Sequence, residues 1–109
     1  MSGPEQTKEH GAAYPRLPSR VGASGGEIVV IFQKKVISEG ADCWANWDEA
    51  TRTVTVDTRA PLAHQWRVFY HELAHAAMAD SGADELLTET MIELLCETFA
   101  NARMRERFG

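Results

Sequence analysis

The chain has 109 residues, of which 44% are hydrophobic and 25% charged, and its formal net charge is −5. This length suits one domain with a modest core, and the composition is ordinary for a soluble globular protein. The acidic balance argues against a nucleic-acid partner, and no apolar run is long enough to predict a membrane partner. Because no secretory signal is visible, we expect a cytoplasmic protein in which Cys43 and Cys96 are reduced thiols.

The first 26 residues are rich in glycine, proline and serine and show no hydrophobic period. Such a segment cannot bury enough apolar surface to offset the cost of ordering it. We therefore predict a disordered N-terminal tail over residues 1–26 and one folded domain over residues 27–109. A second interpretation is that residues 14–18, extended by their prolines, occupy a substrate groove as a pseudo-substrate.

Three β-prone segments follow the tail. Residues 27–32 form a β-branched and aromatic run that predicts an inner strand, apolar on both faces. Residues 43–47 and 53–57 lie on either side of a turn-rich linker, which indicates a hairpin. In its second arm Val54 and Val56 alternate with polar residues, so we expect one buried face. The other face is polar: Thr53, Thr55 and Asp57.

Two helices complete the domain. Pro61 is suited to a first helical turn, and the helix after it should run over residues 62–80 and end at Gly82. Asp84 is the expected N-cap of the second helix, which should extend to about Arg107. The predicted buried stripe of that helix is apolar and has helical spacing: Met91, Leu94, Leu95, Thr98, Phe99 and Ala102.

The first helix contains the motif H-E-x-x-H, with His71 and His75 as its histidines. Residues four apart lie one above the other on a helix, so both imidazoles face the same side. This is the spacing from which one helix supplies two ligands to Zn²⁺. Glu72 lies beside that face, where its carboxylate could accept a proton from a metal-bound water. We therefore expect one zinc ion per chain, with Glu72 as the catalytic base.

A zinc site with two histidines needs a further protein ligand. The second helix offers Glu89, Glu93 and Glu97 at intervals of four residues, which form an acidic ridge. Like charges at this spacing are mildly destabilising, so a bound cation is an attractive explanation for the ridge. Spacing alone does not decide between Glu89 and Glu93 as the ligand.

The motif H-E-L-A-H, followed on a second helix by Glu93-x-x-Cys96-Glu97-x-Phe99-Ala100, resembles the minimal gluzincins. The most similar members are the small phage-type and ImmA/IrrE-like zinc metallopeptidases. The resemblance implies a zincin-like α+β fold, in which a small antiparallel or mixed sheet packs on two helices that carry the metal site. It also implies that Glu93 is the third metal ligand beside His71 and His75. Glu97 replaces the asparagine of the family, and we expect it to hold a ligand histidine from behind.

The function expected on these grounds is zinc-dependent hydrolysis of peptide bonds, with a peptide or protein as substrate. An exposed edge strand near residues 53–57 could bind an extended peptide by strand addition. One alternative is a non-catalytic, zinc-stabilised interaction or regulatory module of phage or mobile-element origin, and another is an amidase. The substrate and the oligomeric state stay open at this stage.

Overall fold

The computed structural model describes residues 14–109, and in that range a small sheet is followed by two long helices. The strands are β1 (Arg20–Val21), β2 (Ile28–Gln33), β3 (Val36–Ser38), β4 (Ala41–Cys43), β5 (Ala45–Asp48) and β6 (Thr53–Asp57). The helices are α1 (Leu62–Ser81) and α2 (Glu89–Phe108), with a 3₁₀ turn at Ala83–Glu85 between them. The expected α+β class, with a sheet and two helices, is confirmed.

The main sheet is mixed and has the strand order β1-β2-β6-β5. Strand β2 runs parallel to β6, whereas β1–β2 and β5–β6 are antiparallel pairs. Val54 and Val56 are fully buried, and β5 and β6 form the predicted hairpin. Because β6 lies between β2 and β5, the prediction of an exposed edge at residues 53–57 is wrong. Among the strands of residues 14–109, the edge on this side of the main sheet belongs to β5.

Asp57 departs from the predicted polar face of β6, because its side chain is fully buried. The carboxylate accepts hydrogen bonds from Arg59, at 2.8 Å from the backbone nitrogen and 2.6 Å from Nη2. These contacts lower the pKa of Asp57 and keep its charge compensated where the chain leaves the sheet. Alternation along the strand could not predict this, since the partner comes from the following turn.

The prediction of a disordered tail is wrong for residues 14–26. Strand β1 pairs with β2, Leu17 is buried in the main core, and the Trp66 indole donates a hydrogen bond of 2.7 Å to the Pro15 carbonyl. The centroids of the Tyr14 and Phe108 rings are 4.8 Å apart. Phe108 is the last residue of α2, at the end of that helix remote from the H-E-x-x-H motif. This segment is therefore anchored on the core through Tyr14, Leu17 and Val21, and residues 14–18 are not a pseudo-substrate beside the motif. The rest of the predicted tail, residues 1–13, lies outside the described residues.

Helix α1 matches its prediction closely and ends at Gly82, which adopts the left-handed conformation with φ of 80°. Helix α2 begins later than predicted. Its N-cap is Thr88, whose hydroxyl accepts a hydrogen bond from the backbone nitrogen of Met91 at 3.2 Å. Asp84 lies instead in the 3₁₀ turn between the helices. Neither α1 nor α2 has both the length and the apolarity that crossing a bilayer would need.

The buried face of α2 is also different from the predicted stripe. Ile92, Cys96 and Ala100 are buried, and Ile92 and Cys96 form a small cluster with Ala74 of α1. Small side chains at this contact let the two helices approach closely. The predicted stripe faces solvent, because it lies on the opposite side of the helix: Met91, Leu94, Leu95, Thr98, Phe99 and Ala102.

Candidate metal centre

His71 and His75 project from the same side of α1, as their spacing predicts. Their ring centroids are 5.0 Å apart, and both side chains are only partly exposed. The helix on either side is anchored in the core, because Tyr70, Ala74 and Ala76 are buried. The positions of the two imidazoles therefore follow from one well-packed helix rather than from a loop.

Glu93 reaches the two histidines from α2. One carboxylate oxygen lies 3.1 Å from Nε2 of His71, and the other lies 2.9 Å from Nε2 of His75. The three potential ligand atoms all lie within 4.8 Å of one another. Two Nε2 atoms and a carboxylate thus converge on one point between the helices.

Glu97 lies behind His71, one helical turn beyond Glu93. Its carboxylate is 3.0 Å from Nδ1 of His71 and also forms an ion pair with Arg67. When Nδ1 carries the proton and donates to Glu97, Nε2 keeps its lone pair and faces Glu93. The expected role of Glu97 behind a ligand histidine therefore agrees with the geometry.

Arg67 is a residue near this centre that the sequence analysis missed. Besides its ion pair with Glu97, its Nε donates a hydrogen bond of 3.2 Å to Oδ1 of Asn101. Arg67 precedes His71 by four residues, so helical spacing places the two on one side of α1. That spacing was the available signal, but it became informative only once the side of α2 that faces α1 was known.

The local environment shifts the pKa values of His71 and Glu72 in opposite directions. Burial is the main cause of the lowered pKa of His71, and a neutral imidazole is the form that binds metals. Burial, together with the nearby charge of Glu93, raises the pKa of Glu72 to about 8. The backbone of Trp47 has a smaller effect in the opposite direction. A cation beside Glu72 would oppose the upward shift and favour the ionised carboxylate.

A cavity of about 310 Å³ lies beside the pair of His75 and Glu93. Trp47, Ala79 and Ile92 supply its apolar lining. Glu89 lies at the same cavity without joining the converging ligand atoms. Of the two candidates left open by spacing, the structure therefore brings Glu93 and not Glu89 onto the histidines.

This donor set suits Zn²⁺, which commonly binds two imidazole nitrogens and one carboxylate at a catalytic site and leaves a fourth position for water or substrate. The hydrogen-bond partner on the far side of His71 is a further feature of such centres. No family model, curated protein or solved structure matches the chain.

Proposed function

We propose that the chain is a zinc-dependent metallopeptidase of the minimal gluzincin type, with His71, His75 and Glu93 as ligands of one zinc ion and Glu72 as general base. The observation that supports this most directly is the convergence of three ligand atoms within 4.8 Å, contributed by two helices. The same convergence supports assigning the α+β fold to the zincin-like group.

Each residue has a separate role in this proposal. His71, His75 and Glu93 would hold the ion, and Glu97 would keep Nε2 of His71 directed at it. Zn²⁺ in this position would polarise the scissile carbonyl and make water more acidic. Glu72 accepts a proton from the attacking water and passes it to the leaving amine. Partial burial of Glu72 limits its hydration, so its protonation responds to the charges around it.

Strand β5 is the proposed docking edge for an extended peptide. It is the outermost of the described strands on its side of the main sheet, and the backbone of Trp47 lies near enough to Glu72 to lower the pKa of that carboxyl, against the larger effect of burial. A peptide added to this edge would run next to the general base, and its side chains could use the neighbouring cavity. This arrangement supports a peptide or protein as the substrate.

The decisive experiment compares the zinc-loaded parent with Glu72→Gln on a broad peptide library. The variant keeps the shape of the side chain and removes the base, so we expect zinc content and thermal stability to be unchanged. Hydrolysis should fall by roughly 100-fold or more, which is the scale of general-base assistance. Glu106→Gln is the matched control, because Glu106 pairs with Arg103 in the last turns of α2, away from the centre.

Two results would contradict the proposal. Cleavage that survives Glu72→Gln undiminished would remove the assigned base. A zinc-loaded parent that cleaves no peptide would favour a non-catalytic, zinc-stabilised interaction module, or an amidase if simpler amides are hydrolysed.

A further inference from the structure

Helix α2 has an apolar face that residues 14–109 leave exposed. We call Met91, Leu94, Leu95, Thr98, Phe99 and Ala102 the outer face of α2. All six residues are exposed, with Leu94 at 63% and Met91 at 48% of their full accessibility. The core instead takes the opposite side, through Ile92, Cys96 and Ala100. Large exposed apolar side chains that are neighbours on one helix face, rather than scattered singly, are typical of an interaction site.

The spacing within the outer face is that of a helix–helix seam. Met91, Leu95, Thr98 and Ala102 are separated by four, three and four residues, the a/d spacing of a heptad. Leu94 and Phe99 lie on its two sides. A seam with this period keeps facing a partner helix over three turns, whereas a scattered apolar surface would not.

The polar group within the seam is already satisfied. The Thr98 hydroxyl donates a hydrogen bond of 2.8 Å to the carbonyl oxygen of Leu94 in its own helix. Its methyl group can therefore face a partner without leaving an unpaired hydroxyl donor in the contact. Burying Thr98 in a helix–helix contact would therefore not cost the free energy of an unsatisfied hydroxyl donor.

The seam is complementary to itself in antiparallel orientation. A two-fold axis between Leu95 and Thr98 places Leu95 of each copy opposite Thr98 of the other, and Met91 opposite Ala102. A large side chain then meets a small one at both levels. A parallel pair in register would instead place Ala102 against Ala102, where small side chains leave a gap.

Charges at the ends of the seam favour the same orientation. Glu85 precedes the N-terminal end of α2 and Arg105 lies in its last turn, and both are exposed. Within residues 14–109 neither forms an ion pair. An antiparallel copy brings Arg105 of one chain towards Glu85 of the other, whereas a parallel copy brings like charges together.

We propose that the outer face of α2 binds the same face of a second copy, which forms a two-fold symmetric, antiparallel helix pair. Glu93 and Glu97 face α1 on the other side of α2, so the pair leaves the candidate metal centre accessible. The dimer goes beyond the proposed hydrolysis and does not depend on it.

Sedimentation equilibrium over a range of protein concentrations tests the dimer without zinc or substrate. The parent should dimerise, and Leu95→Glu should raise the dissociation constant by roughly 100-fold, because each dimer loses two buried leucines. Ile37→Glu is the control, since Ile37 is 56% exposed on β3 and should leave the dissociation constant unchanged. Thermal unfolding checks that both variants stay folded. A monomeric parent, or a dimer that Leu95→Glu does not weaken, would overturn the proposal and leave the outer face to a different partner.

A charge reversal tests the orientation. Arg105→Glu and Glu85→Arg should each weaken the dimer by roughly threefold, because each removes two opposite-charge contacts across the seam. The double variant restores these contacts with reversed sign, so its dissociation constant should return to within about twofold of the parent value. Single variants without effect, or a double variant that is weaker than either single variant, would contradict the antiparallel pair.

Discussion

The carboxylate of Glu97 lies 3.0 Å from Nδ1 of His71, on the far side of the ring from the nitrogen that faces Glu93. One imidazole is thus held between two carboxylates that are one turn apart on α2. The carboxylate behind the ring selects the tautomer, which leaves the other nitrogen free to bind a metal.

Removing this support should weaken metal binding without abolishing it. In Glu97→Ala the His71 ring can rotate and change tautomer, so we expect zinc affinity to fall by about 10- to 100-fold. Competition with a chromogenic chelator at fixed pH measures the effect. Arg67→Met should cause a smaller loss, because Arg67 contacts Glu97 and Asn101 rather than either histidine. An unchanged affinity in Glu97→Ala would show that the ring is held by other contacts.

The two acidic residues that spacing left open can be separated by metal analysis. Glu93→Ala removes the carboxylate that contacts both histidines, so the purified variant should lose most of its zinc. Glu89→Ala alters only the adjoining cavity and should retain zinc at about one ion per chain. The reverse result would place the third ligand one turn earlier on α2.

The segment of residues 14–21 should be necessary for full stability, because Leu17 is buried in the main core and Tyr14 and Val21 pack against it. Leu17 is 7% exposed, and Leu17→Ala should lower the free energy of unfolding by about 2–5 kcal/mol, as is usual for a buried leucine. Leu86→Ala is the control, since Leu86 is 86% exposed and little of its side chain is packed against the rest of the protein. Urea denaturation of both variants measures the difference. Equal stabilities would mean that the N-terminal segment is not anchored through Leu17.

The pairing of Asp80 with Arg52 should make stability sensitive to acid. Arg52 donates two hydrogen bonds to Asp80, at 2.8 and 3.0 Å, and the backbone nitrogen of Gly25 donates a third at 3.0 Å. The Arg52 contacts are the main reason that the pKa of Asp80 lies below its usual range. Three segments of the chain are joined at this carboxylate.

The sign of the effect follows from proton binding. Because the folded pKa of Asp80 is lower than the unfolded one, the unfolded chain binds more protons in acid. The contribution of Asp80 is complete above the unfolded pKa of about 4 and is lost as the pH falls through the lowered folded value. Asp80→Asn should therefore be less stable than the parent at neutral pH, and the difference should shrink as the pH falls below about 4. A difference that stays constant with pH would show that the charge of Asp80 is not involved.

The sequence by itself determined the features that depend on local spacing. His71 and His75 are four residues apart on one continuous helix, so their alignment needs no tertiary information. The β5–β6 hairpin and the end of α1 at Gly82 are local in the same sense, since each depends on neighbouring residues.

Only the tertiary structure decided how α2 is rotated about its axis. The larger apolar side chains predicted one buried face, whereas close packing of small residues, Ala74 against Cys96, turned that face to solvent. The same rotation directs Glu93 at the histidines and places Glu97 behind His71. The rotation of α2 could not be predicted from its sequence pattern. A helix with two apolar sides buries the side that packs more closely against its neighbour. The anchoring of residues 14–26 had the same kind of cause, since it depends on partners in β2 and α1 that are distant in sequence.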